Sequence, residues 1–114
     1  MILVVTSDEV IGECIIRALK KQGLNGQMSS NVYSAIDFIS AEGVPDLIYL
    51  DILLTGPDGF TLLNELASYA DTMNVPVVLM GEKDFSGFDF SAYNVKGFLN
   101  KNTMMPEEIL KYAK

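Results

Sequence analysis

Pro45-Asp46-Leu47-Ile48-Tyr49-Leu50-Asp51 is the stretch whose reading decides the fold. Leu47 to Leu50 is a short apolar run that stops at a carboxylate. Such runs, bounded by turn signals, are strands buried on both faces. Pro45 holds the residue before it in extended geometry and marks the entry. Gly56-Pro57-Asp58-Gly59 is turn chemistry and marks the exit. Asp51 is therefore expected at the carboxyl end of a central strand, where open α/β sheets carry their chemistry. A solvated aspartate that merely starts a turn would satisfy the same pattern.

Upstream, Ile2 to Val5 is a second apolar run and a second buried strand. Thr6-Ser7-Asp8-Glu9 follows it; Thr6 and Glu9 have capping-box spacing, and Ser7 or Asp8 are alternative caps. The next helix carries Val10, Ile11, Cys14, Ile15, Ala18 and Leu19 on one face. Cys14 on that face reads as core packing rather than a reactive thiol. Leu24 to Ser30 is a weak strand, and its Gly26 and polar residues suit a sheet edge. Asn31 caps a helix with Val32, Ala35, Ile36 and Ile39 on one side, ended by Gly43 and Pro45.

Downstream, Asp58 is placed to cap a third helix with Leu62, Leu63, Leu66, Ala67 and Ala70 inward. Val75 to Met80 is a further buried strand, with Pro76 near its start because proline cannot donate to a ladder. Gly81 to Asn94 is irregular and crowded with Phe85, Phe88, Phe90 and Tyr93, and a short or distorted helix is expected there. Val95 to Leu99 is the fifth strand and leads to Lys101. Pro106, Glu107 and Glu108 suit the first turn of a last helix. Five strand–helix alternations predict a parallel sheet with helices on both faces and right-handed crossovers. Thr6, Ser7, Asp51 and Lys101 would then share one rim.

The chain of 114 residues reads as one domain, residues 1–114, with a real core. The last helix runs out at Lys114 after little more than two turns, which leaves open whether the domain is the N-terminal part of a longer protein. The formal charge of -7, from 8 Lys+Arg against 15 Asp+Glu, argues against direct nucleic-acid contact or an anionic membrane surface. The absence of His removes the usual general base and metal ligand. One cysteine cannot form an internal disulfide, which fits a reducing cytoplasm. No apolar run reaches transmembrane length.

Taken together, Ile2-Leu3-Val4-Val5, Pro45 to Asp51, Gly56 with Asp58 and Gly59, Val75 to Met80, and Gly97-Phe98-Leu99-Asn100-Lys101 resemble a response-regulator receiver domain of two-component signalling. The likeness covers essentially the whole chain. It implies a flavodoxin-like (βα)5 three-layer sandwich with a five-stranded parallel sheet of order 2-1-3-4-5. It also implies that Asp51 is the phosphoacceptor, that Lys101 pairs with the phosphoryl oxygens and that a histidine kinase is the donor. A magnesium ion would be held by Asp51, by acids after the first strand and by a backbone carbonyl, here that of Leu53. The chain departs from the pattern. Thr6 and Ser7 stand where the acidic pair belongs, and Gly81 where a Thr or Ser belongs. Glu82 replaces a small residue. Asn102 follows Lys101 where proline is common, so a trans bond is expected. Phe98 takes the aromatic switch position and reads as core.

These departures lead to the expectation of an atypical, pseudo-receiver variant. Asp51 and Lys101 would form a nearly neutral pair that binds magnesium weakly or not at all, with Asp8 as a second ligand through water at most. Phosphorylation would be slow, and signalling would run through protein contacts. A homodimer through the face of the fourth helix and fifth strand is one such contact. The aromatic residues of Phe85 to Tyr93 either form that patch or pack inward. A conventional magnesium-dependent phosphoacceptor switch at Asp51 is the alternative. A small flavin-binding module is a third reading, disfavoured because Thr6-Ser7-Asp8-Glu9 has no glycine and two acids. With no His and no Gly-rich loop, no enzyme is expected.

Overall fold

Alternating side chains along the central strands feed two separate cores. The computed structural model describes residues 1–54, 58–82 and 89–113. Its elements are β1 (Ile2–Val5), α1 (Glu9–Lys21), β2 (Gly26–Ser29), α2 (Val32–Glu42), β3 (Leu47–Asp51), α3 (Gly59–Ala67), β4 (Val77–Gly81), β5 (Val95–Asn100) and α4 (Pro106–Ala113). All strand pairs are parallel, in the order β2-β1-β3-β4-β5. Leu3, Val5, Ile48, Leu50, Val77 and Leu79 point to the side covered by α2 and α3. Ile2, Val4, Leu47, Tyr49, Val78 and Met80 point to the side covered by α1 and α4. Period-two burial on both faces is what the continuous apolar runs require. The predicted doubly wound sheet, with β2 at an edge, is observed.

Helix starts follow local chemistry. Asp8 Oδ1 accepts from the amides of Val10 and Ile11, Asn31 Oδ1 from that of Ser34, and Asp58 Oδ1 from those of Phe60 and Thr61. Gly43 ends α2 at φ 100°, a conformation that favours glycine. Pro76 stands just before β4, and its carbonyl accepts from Ile48 N–H at 3.0 Å. The peptide bond between Lys101 and Asn102 is trans, as expected.

Three expectations are corrected. On α1, Val10 is 76% exposed and Cys14 is also exposed, while Gly12, Ile15, Ala18 and Leu19 are buried. The buried arc is turned by about 60° from the predicted stripe, on a wheel of roughly 100° per residue. The reason is Gly12: a Cβ there would meet Met28 Sδ at 2.3 Å and Thr6 Cγ2 at 3.2 Å. A glycine that seats the helix is invisible to a count of apolar residues. Second, Ala70 is exposed, because α3 stops at Ala67. Thr72 Oγ1 donates to the Leu66 carbonyl at 2.7 Å and helps end the helix. Third, Phe98 is 44% exposed rather than core. It lies on the edge strand β5, tilted against Phe90 at 5.4 Å between ring centroids. The helix expected between β4 and β5 falls largely on residues 83–88, outside the described residues; 91–94 form a turn.

Candidate functional site

The order of the sheet reverses at β1, which pairs with both β2 and β3. Such switch points open a crevice at the carboxyl ends of the strands. Thr6 follows β1 there, held by its N–H bond to the Ser29 carbonyl at 3.0 Å. Asp51 ends β3, and Lys101 follows β5 with its N–H on the Gly81 carbonyl at 2.9 Å. The expected rim is therefore assembled.

Asp51 is 1% exposed, and both its oxygens are in use. Oδ2 accepts from Thr6 Oγ1 at 2.9 Å and from Lys101 Nζ at 3.0 Å. Oδ1 accepts from Leu53 N–H at 3.1 Å and from Lys101 Nζ at 3.2 Å. A carboxylate offers about four lone-pair sites, and four donor contacts fill them. Thr6 is itself fixed, since its Oγ1 also accepts from Asp8 N–H at 3.1 Å. One carboxylate and one ammonium leave the site formally neutral. Gly59 adds a geometric constraint: a Cβ there would lie 2.9 Å from both the Asp51 carbonyl oxygen and Ile52 Cα. Its absence lets α3 begin directly under the end of β3.

A magnesium ion fits this donor set poorly. Hard divalent cations take several oxygen ligands, carboxylates foremost. Thr6 and Ser7 supply neutral hydroxyls, and Ser7 Oγ already donates to the Ser30 carbonyl at 3.3 Å. Asp8 Oδ1 is engaged as the cap of α1. Leu53 meets Asp51 through its amide. Among the described residues, no group of three or more His, Cys, Asp or Glu is arranged to hold a metal ion.

Of the two switch positions, Gly81 contributes only its backbone, and Phe98 stands part-exposed on β5. Phe98 joins a row in which Phe90 stacks on Phe60 at 6.1 Å, so the rings run from β5 to the first turn of α3. Glu82 is exposed. Sequence reasoning placed Thr6 at the rim but not its hydrogen bond to Asp51, and it missed the Leu53 amide and Gly59. The Asp58-Gly59 pair, a cap followed by the smallest residue, was the available signal for the last. It also passed over Tyr49, fully buried in β3, whose hydroxyl donates to the Ile109 carbonyl of α4. Burial, then the neighbouring Tyr112, push the Tyr49 phenol up to about 12.

The family model for the response regulator receiver domain matches residues 2–114. The response regulator PleD of Caulobacter vibrioides is 39% identical over 49 residues, 43% of this chain and 11% of its own length. The probable transcriptional regulator ycf29 of Porphyra purpurea is 28% identical over 115 residues, 99% of this chain and 54% of its own. The chain thus spans about half, or less, of the curated relatives it matches. Among solved structures, the receiver domain of NtrX from Brucella abortus superposes with a TM-score of 0.85 at 26% identity, covering 99% of this chain and 94% of that one. Chemotaxis protein CheY4 of Vibrio cholerae gives a TM-score of 0.88 at 18% identity, covering 98% and 93%, a likeness of fold.

Proposed function

The chain belongs to the response regulator receiver family, and from that premise we propose an atypical receiver that signals through protein contacts, with little or no phosphorylation of Asp51. The observation that carries this reading is the closed carboxylate. Phosphoryl transfer brings an anionic group against Asp51, so the acceptor needs an accessible oxygen and a cation to offset the charge. Both Asp51 oxygens are saturated by Thr6, Leu53 and Lys101, and the nearby cation is already spent on the pair. An incoming phosphoryl group must first displace Thr6 or Lys101 from a buried anion, which raises the barrier. On this reading the domain is not an enzyme. Its partners are a histidine kinase or another signalling protein, with self-association through the face of the fifth strand and of the fourth helix expected from the sequence, a helix that falls largely outside the described residues. No helix among the described residues is long and apolar enough to cross a membrane.

The test is incubation with acetyl phosphate and magnesium, followed by intact-mass measurement beside Asp51→Asn. Both proteins are expected to keep their starting mass. A phosphoryl adduct on the wild type that is missing from Asp51→Asn would establish the alternative, a conventional magnesium-dependent switch.

A further inference from the structure

The charge of this chain is unevenly placed. Every charged side chain from residue 22 to residue 82 is acidic. That segment supplies α2 and α3, which cover one face of the sheet. The opposite face carries Arg17, Lys20, Lys21 and Lys111 on α1 and α4, interleaved with Glu9, Glu13, Glu107 and Glu108. Two acids of the acidic segment are neutralised: Asp51 by Lys101, and Asp46 by the Met1 amino group at 2.6 Å. Among the described residues, Asp37, Glu42, Glu65 and Asp71 have no ion-pair partner.

Between α2 and α3 lies an open groove of about 470 Å³. Its floor is Ile36, Ile39 and Leu66, and Glu65 and Asp71 stand at it with Tyr69. Tyr69 is 55% exposed, and Val44, which also lines the groove, is exposed as well. The lining contains no Lys or Arg. α2 and α3 end here before the chain enters β3 and β4, so the groove sits at the amino edge of the sheet, away from Asp51.

The geometry points to this groove as a docking site for a cationic amphipathic segment of another protein, its apolar side chains on the floor and its Lys or Arg against Glu65 and Asp71. An apolar groove of this kind takes the hydrophobic face of a helix. Unpaired acids beside it select a basic partner and repel an acidic one. A second copy of this chain is a poor occupant, because its own cations are interleaved with acids. The inference does not depend on whether Asp51 is phosphorylated.

The test titrates a fluorescein-labelled Leu/Lys amphipathic peptide by anisotropy and maps it by amide chemical shifts in the full chain. Binding is expected to weaken about tenfold in Glu65→Lys/Asp71→Lys, from reversing the two charges at the groove. It is expected to weaken also in Val44→Ser/Tyr69→Ser, whose side chains are exposed and leave the fold intact. Shifts should fall on residues 36–44 and 65–72. A Leu/Glu peptide should bind the charge-reversed protein and not the wild type. Four results would overturn the inference: no binding, equal affinity across the variants, shifts centred elsewhere, or a Lys/Ser peptide without apolar residues binding equally well. Self-association of the wild type that is lost on charge reversal would instead assign the groove to a second copy.

Discussion

The two ends of the sheet treat their carboxylates in opposite ways. At the carboxyl edge, Asp51 is buried and saturated by Thr6, Leu53 and Lys101. At the amino edge, Glu65 and Asp71 face an open groove without an ion pair among the described residues. A charge consumed inside the molecule is available to the fold; a charge left outside is available to a partner. On the reading proposed above, a family's reactive position becomes a structural one when the groups around it close.

The sharpest way to break this contrast is to unpair Asp51. Lys101→Met leaves a buried carboxylate with only neutral donors and is expected to cost about 3–5 kcal/mol in urea unfolding at neutral pH. Asp51→Asn is expected to cost much less, because the long Lys101 side chain can carry its ammonium to water. Equal and small losses in both variants would mean that the pair is loosely held.

A second buried group, two residues upstream, responds to pH. The Tyr49 phenol is raised from 10.0 to about 12. Below pH 10 both the folded and unfolded chains keep it neutral, and its contribution is fully present. As pH rises toward 12 the unfolded chain ionises first, and about 2–3 kcal/mol is lost. Tyr49→Phe should remove that part of the alkaline loss, read from unfolding curves across this window.

Thr6 sets the next step down. Thr6→Val removes a donor from Asp51 and an acceptor from Asp8 N–H, at an expected cost of about 1–2 kcal/mol. Thr6→Asp should instead open the closed site. It is expected to be less stable than the wild type without metal, and magnesium should raise its unfolding midpoint while leaving that of the wild type in place. A wild type equally stabilised by magnesium would break the reading of Asp51 as spent. The smallest effect belongs to the groove: Glu65→Lys/Asp71→Lys should shift stability by no more than about 0.5 kcal/mol, since Asp71 is exposed, Glu65 is half-buried at an open groove, and neither has an ion-pair partner among the described residues.

Much of this was legible in the chain. The apolar runs at Ile2 to Val5 and Leu47 to Leu50, the caps at Asn31 and Asp58, and Asp51 with Lys101 all lay where local rules placed them. What stayed hidden depended on contacts between distant residues. Gly12 turns α1 because Met28 and Thr6 lie beneath it, and this moved Val10 and Cys14 outward. Thr72, beyond the end of α3, helps stop that helix short of Ala70. Phe98 is exposed because β5 is an edge strand.

By itself the sequence determined the alternation of strands and helices, the family likeness and the neutral Thr6 and Ser7 after the first strand. These follow from residue type and spacing, which act over a few positions. Tertiary structure alone decided that Thr6 and Leu53 would complete the shell of Asp51, and that the acids of α2 and α3 would border an apolar groove. Hydrogen bonds such as Thr6 to Asp51 join residues 45 positions apart, and their geometry exists only once the parallel strands are in register.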